Sequence, residues 1–152
     1  SSSTVLYGDQ TYKAEPGGGK ILQVQSMYTS TEVYYDTNTS FVDTGVVDSI
    51  TPSATSSKIL ILVTIQFLNS STSDAVTFKP MRAGTSLGEQ QDLRATGITS
   101  VGVYSYSYTD SPSSTSATEY KVMFRKTGGV GGIHAQTSGT STSSMTLLEI
   151  GV

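Results

Sequence analysis

The sequence predicts an all-β domain, a sandwich of antiparallel sheets, on three observations. The stretch Lys58 to Leu68, KILILVTIQFL, is the longest apolar run in the chain and is rich in β-branched residues, which suit a pleated surface. Shorter apolar blocks of strand length recur before and after it, separated by clusters of Ser, Thr, Gly, Asp and Asn that read as turns. Ser and Thr together make up roughly a third of the chain, only 14% of residues are charged, and the helix formers Ala, Leu, Glu and Lys are scarce.

In the central run, Ile59, Ile61, Val63, Ile65 and Phe67 fall on one face, and Leu60, Leu62, Thr64, Gln66 and Leu68 on the other. The first face is apolar throughout, whereas the second begins apolar and turns polar. A strand with these faces leaves a two-sided core and emerges at a half-exposed end. The run is too short for a membrane helix and is interrupted by Thr64 and Gln66. A helix is excluded by its period-2 contrast and by the flanking SATSS and NSSTS.

Along the chain, residues 1–19 form an extended N-terminal arm. Val5, Leu6, Tyr7 and Tyr12 make it more apolar than a solvated tail requires, and Pro16-Gly17-Gly18-Gly19 hinges it to the domain at 20–152. Strands are then expected over Ile21–Tyr28 and Thr31–Asp36. Another is expected over Ser40–Ile50, where Gly45 breaks the alternation and marks a bulge. After the central strand, Ala75–Gly84 contains Pro80, which places this strand at an edge or bends it there. Ser86–Gly97 is the one stretch that accommodates a helical turn, with a long loop as the alternative. Ile98–Asp110 alternates strictly, with Tyr104, Tyr106 and Tyr108 on one face; Thr118–Lys126, a short strand at IHAQT and a closing strand in SMTLLEIGV follow. No repeat of solenoid or propeller length occurs. Strands at this spacing, without helices, make an eight-stranded jelly roll the expected architecture.

Several function classes are excluded at this stage. The formal charge is −3 with no basic cluster, so nucleic-acid binding lacks its Lys/Arg footprint. Without cysteine there is neither a disulfide framework nor a thiolate metal site, and the lone His134 has no suitably grouped carboxylates beside it, so no cofactor or metal is expected. No Gly-x-Ser-x-Gly elbow or other ordered Ser/His/Asp constellation is visible, so a hydrolase is not expected. The glycine runs GGG and GGVGG lack the Lys-Ser/Thr and helix of a phosphate loop. The N-terminus SSSTVLYGDQ has no basic or apolar leader region, and its lack of Met is open to two explanations, processing or excision from a longer product. The tyrosine row reads as core packing or a subunit contact, the alternative being a platform for stacking a host surface glycan.

The blocks GGGKILQVQ (17–25), FVDTGVVDSITPSATSSKILILVTI (41–65), DSPSSTSATEYKV (110–122) and STSSMTLLEIGV (141–152) resemble a module of tailed-phage virion proteins of the cyanophage type. Such modules occur in capsid decoration proteins and in tail-fibre tips. The resemblance implies a jelly roll of the tumour-necrosis-factor or C1q kind, usually a homotrimer, and brings no catalytic motif. The expectation is therefore a non-enzymatic cement protein on the outer surface of the virion, with the major capsid protein as partner. Its arm residues Val5, Leu6, Tyr7 and Tyr12 would contact the capsid, and Leu60, Leu62, Tyr104, Tyr106 and Tyr108 would form the trimer interface. The runner-up is the receptor-binding tip of a tail fibre, which would need a trimeric shaft upstream.

Overall fold

The computed structural model describes residues 4–6, 12–14, 19–36, 40–71, 73–93, 101–129, 131–137 and 141–152, with the backbone alone for 4–6, 12–14 and 90–92. The strands are β1 (Thr4–Leu6), β2 (Tyr12–Ala14), β3 (Ile21–Thr29), β4 (Val33–Tyr35), β5 (Val42–Ile50), β6 (Lys58–Asn69), β7 (Ala75–Arg82), β8 (Thr85–Ser86), β9 (Gln90–Leu93), β10 (Val101–Asp110), β11 (Thr118–Gly128), β12 (Ile133–Ala135) and β13 (Ser143–Ile150). Among the described residues there is no helix. Of Ser86–Gly97, for which the sequence allows a helical turn or a long loop, Ser86 ends β8, residues 87–89 are irregular and Gln90–Leu93 forms β9; residues 94–97 lie outside the described residues.

Strand β6 is the middle of the first sheet. Along one edge it pairs with β10 over its full length; along the other it pairs first with β13 and then with β12. Strand β3 adds to β13, and β4 to β12. The second sheet runs β5, β11, β7, with the short β8 and β9 on the far edge of β7. From β5 onward the chain alternates between sheets: β6 in the first, β7 and β9 in the second, β10 back, β11 across, β13 back. That alternation of antiparallel strands is the jelly roll expected from the sequence.

The core is where the two sheets face each other. Ile59, Ile61, Val63, Ile65 and Phe67 are all buried, as their shared face predicts, against Val46, Ile50, Phe78, Val122 and Phe124 of the second sheet. Gly45 does form a bulge: it has φ +80°, and the β5–β11 register shifts beside it. Pro80 does not make β7 a bare edge strand. It stands where β7's outer partner changes from β9 at Phe78 to β8 at Met81, an interval in which a missing N–H costs no ladder bond.

The arm residues Val5, Leu6 and Tyr12 lie in β1 and β2, which pair with each other as a separate two-stranded sheet; Tyr7 lies outside the described residues. The domain is fastened at Gly19 and Lys20, where the Gly19 amide donates to the Gly151 carbonyl and the Gly151 amide to the Lys20 carbonyl.

Candidate interaction surface

Because side chains alternate across a strand, burying the odd-numbered residues of β6 turns Leu60, Leu62, Thr64, Gln66 and Leu68 outward. Register carries that outward set across the whole first sheet. Leu60 lies beside Leu148, which lies beside Val24; Leu62 lies beside Thr146, then Ser26; Thr64 lies beside Ser144, then Tyr28. On the other side, Ser107, Ser105, Val103 and Val101 of β10 continue the rows opposite Leu62, Thr64, Gln66 and Leu68. The apolar members stand in solvent: Tyr28 is 80% exposed, Val24 53%, Val103 55% and Leu62 42%. Between them Thr64, Ser105, Ser107, Ser144 and Thr146 line a shallow groove of about 320 Å³. Lys58 stands at one end of this face, and at the other the row of Leu68 continues to His134, which pairs with Glu32; among the described residues the rows between them carry no charged side chain.

The outer face of the second sheet is the opposite in character. Lys79 pairs with Glu89 at 2.9 Å, Arg125 reaches the same carboxylate at 3.8 Å, and Lys121 pairs with Asp43 at 3.0 Å. Lys79 and Arg125 both lie over the Phe41 ring, 4.6 Å from its centroid.

Leu60 and Leu62, expected at a trimer contact, are therefore on the outward apolar face. The tyrosine row is not. Its rings project from the core side of β10, beside Ile65, Val63 and Ile61. Tyr104 is 1% exposed and stacks on Phe78 at 4.4 Å, so it is a core residue and leaves the interface set. The reason is its position in mid-strand, directly under the second sheet. Tyr106 and Tyr108 follow at 6.4 Å and 6.1 Å between centroids, and exposure rises along the row to 43% at Tyr108. Burial, then the charges of Tyr108 and Asp110, push the Tyr106 hydroxyl up to about 12.

Two polar clusters were not anticipated. Asp110, almost fully buried, accepts both Arg82 Nη1 (2.7 and 2.9 Å) and the Tyr120 hydroxyl (2.7 Å), tying the end of β10 to β7 and β11. No spacing in the sequence announces it, since Arg82 and Tyr120 meet Asp110 only through the fold. The second cluster does bring a serine, a histidine and a carboxylate together: Ser70 Oγ lies 3.2 Å from His134 Nε2, and Glu32 Oε1 lies 2.5 Å from Nδ1, with the Tyr34 ring 4.6 Å from the imidazole. Acyl transfer also needs amide donors free to hold an oxyanion. Here the Ser70 amide donates to the Gly132 carbonyl and the Gly131 amide to Asp74. Among the described residues, no group of three or more His, Asp or Glu side chains could hold a metal ion.

No family model and no curated protein matches the chain. Solved structures do. The VP2 subviral particle of infectious bursal disease virus aligns with 93% of this chain at 9% identity and a TM-score of 0.48. The T=1 particle derived from that virus aligns with 94% at 8% identity and a TM-score of 0.45. Dimeric latent PorU from Porphyromonas gingivalis aligns with 89% at 9% identity and a TM-score of 0.46. The chain spans 41%, 39% and 14% of those chains respectively. Likenesses of this size assign no activity.

Proposed function

We propose that this chain is a non-enzymatic structural protein of a phage virion, a homotrimeric decoration protein that cements the outer capsid surface. The observation that carries the assembly is the contrast between the two sheets: one outer face is laced with ion pairs, the other is apolar and hydroxyl-lined and, among the described residues, carries charge only at its ends. A face of that composition matches the centre of a subunit contact, where charged residues are depleted. The second copy is the occupant, with Leu60, Leu62, Val24 and Tyr28 at the contact; Tyr106 and Tyr108, on the other face of β10, are not part of it. Full burial of an exposed side chain of this size contributes about 1.5–3 kcal/mol, and the already half-covered Leu60 and Leu62 contribute a fraction of that. The virion location and the capsid partner rest on the resemblance of the sequence blocks. The arm, through Val5, Leu6, Tyr7 and Tyr12, is assigned to the major capsid protein.

Two measurements test the reading. Sedimentation of the wild-type chain at micromolar concentration should show a trimer, and Leu62→Asp should give folded monomer; a wild-type monomer would remove the assembly. Copy number in intact virions should follow that of the capsid subunits. A copy number matching the tail fibres would replace the cement role by that of a fibre tip binding a host surface glycan.

A further inference from the structure

Ser70, His134 and Glu32 meet because three neighbouring strands bring them to one face. Strand β12 lies between β6 and β4, with His134 directly opposite Leu68 on one side and Tyr34 on the other. Side chains two residues apart in a strand share a face. Ser70, two residues beyond Leu68, and Glu32, two before Tyr34, therefore flank His134 on its two diagonals. The distances follow that register: Ser70 Oγ is 3.2 Å from Nε2, and Glu32 Oε1 is 2.5 Å from Nδ1. The Tyr34 ring, 4.6 Å from the imidazole, packs beside it. Gly132 leaves room for that ring, since a Cβ there would lie 2.2 Å from it.

The carboxylate decides the tautomer. An ionised Glu32 only accepts, so Nδ1 carries the proton, and in the neutral ring Nε2 is left as a bare acceptor facing the Ser70 hydroxyl. That is the arrangement in which an imidazole draws the proton from an attacking serine. The group is open to small electrophiles: the His134 side chain is 21% exposed, that of Glu32 is 37% exposed, and Ser70 is half-buried. Ser70 and His134 lie beyond the rows of Leu60 and Leu62 assigned to the subunit contact, so the site does not depend on the trimer.

We propose that Ser70 is a nucleophile that accepts a single acyl or phosphonyl group from an activated donor, with His134 as its general base and Glu32 as the positioning residue. With an aryl ester, Ser70 Oγ bonds to the carbonyl carbon and its proton passes to His134 Nε2. The bond from that carbon to the aryl oxygen breaks, and the aryl oxide leaves with the electron pair. With a fluorophosphonate, the new bond is to phosphorus and fluoride leaves. The Ser70 and Gly131 amides are already bonded, to the Gly132 carbonyl and to Asp74, so neither holds the transient oxyanion. The donor must therefore carry a good leaving group, and the alkyl ester left on Ser70, a poorer electrophile, persists. The outcome is one modification per chain rather than turnover.

The test treats the full chain, at mildly alkaline pH, with a fluorophosphonate and separately with p-nitrophenyl acetate. Peptide mapping by mass spectrometry should place one adduct per chain on Ser70, and p-nitrophenolate should appear as a burst of one equivalent. Ser70→Ala should abolish both while keeping the wild-type melting temperature. His134→Ala should slow the modification about 100-fold, and Ser70→Ala keeps the test decisive if that variant does not fold. Glu32→Gln should slow it too and remove the downfield proton resonance of Nδ1–H, which a merely structural contact at the surface would not supply. No adduct, adducts spread over other residues, or labelling of Ser70 at an unchanged rate in His134→Ala would each overturn the proposal. Continued release of p-nitrophenolate that Ser70→Ala abolishes would overturn its single-acylation form.

Discussion

Replacing Glu149 with Gln should lower the melting temperature at neutral pH, and the deficit should fade in acid. Glu149 sits on the core side of β13 with no exposed surface. Its Oε1 accepts the Ser53 amide (2.7 Å), Ser53 Oγ (2.6 Å) and Ser57 Oγ (2.6 Å), and its Oε2 accepts Gln23 Nε2 (2.7 Å). Burial pushes the carboxyl's pKa up, but the bonds from Ser53, Ser57 and Gln23 outweigh it and hold the group down at about 2. Against about 4.3 in an unfolded chain, that difference corresponds to about 3 kcal/mol at neutral pH. The cover is thin, because Ser53 is exposed and Gln23 only half-buried, so solvent screening reduces the figure to about 1–2 kcal/mol. For a domain of this size that is a loss of about 2–8 °C. Since the folded pKa is the lower one, the stabilisation is complete above about 4.3 and disappears as the pH falls towards about 2. Thermal unfolding of both proteins, followed by circular dichroism across that window, gives the difference directly. A gap of the same size at neutral pH and in acid, or none at neutral pH, would refute the reasoning.

Tyr104→Phe should leave stability unchanged or raise it by up to about 1 kcal/mol, because the hydroxyl is buried without a partner among the described residues. A clear loss in urea unfolding would show that the hydroxyl is bonded. Gly102→Ala should cost about 1–3 kcal/mol by the same assay, since the new Cβ would meet the Phe67 ring at 2.4 Å; an unchanged midpoint would mean that the ring has room to turn.

The strands were legible because their signal is local. Period-2 alternation in Lys58–Leu68 picked out every residue that β6 buries between Ile59 and Phe67, and a lone glycine in an alternating strand located the bulge at Gly45. What escaped depends on residues distant in the chain. Tyr104 and Tyr108 have the same side-chain type and lie on the same strand face. Only the reach of the second sheet over β10 makes one a core residue and leaves the other at the surface. Glu149 likewise reads as an ordinary polar break in TLLEIG, until the loop after β5 folds over it and supplies three of its donors.

The central strand also poses the question that the isolated chain does not answer. Leucines at Leu60, Leu62 and Leu68 suggest a strand covered on both faces, but within one chain only the odd-numbered face is covered. The fold itself does not require an outer face with charge only at its ends. The second sheet is built from strands of similar length, and its outer positions hold Asp43, Lys79, Lys121 and Arg125 as paired charges in solvent. Charges at such positions favour solubility and leave the core untouched. On a face that another chain is to cover they would have to be desolvated, at a cost that pairing often fails to offset. Serine, threonine and leucine avoid that cost, and a second copy over β3, β13 and β6 would complete the two-sided cover that the alternation of β6 implies.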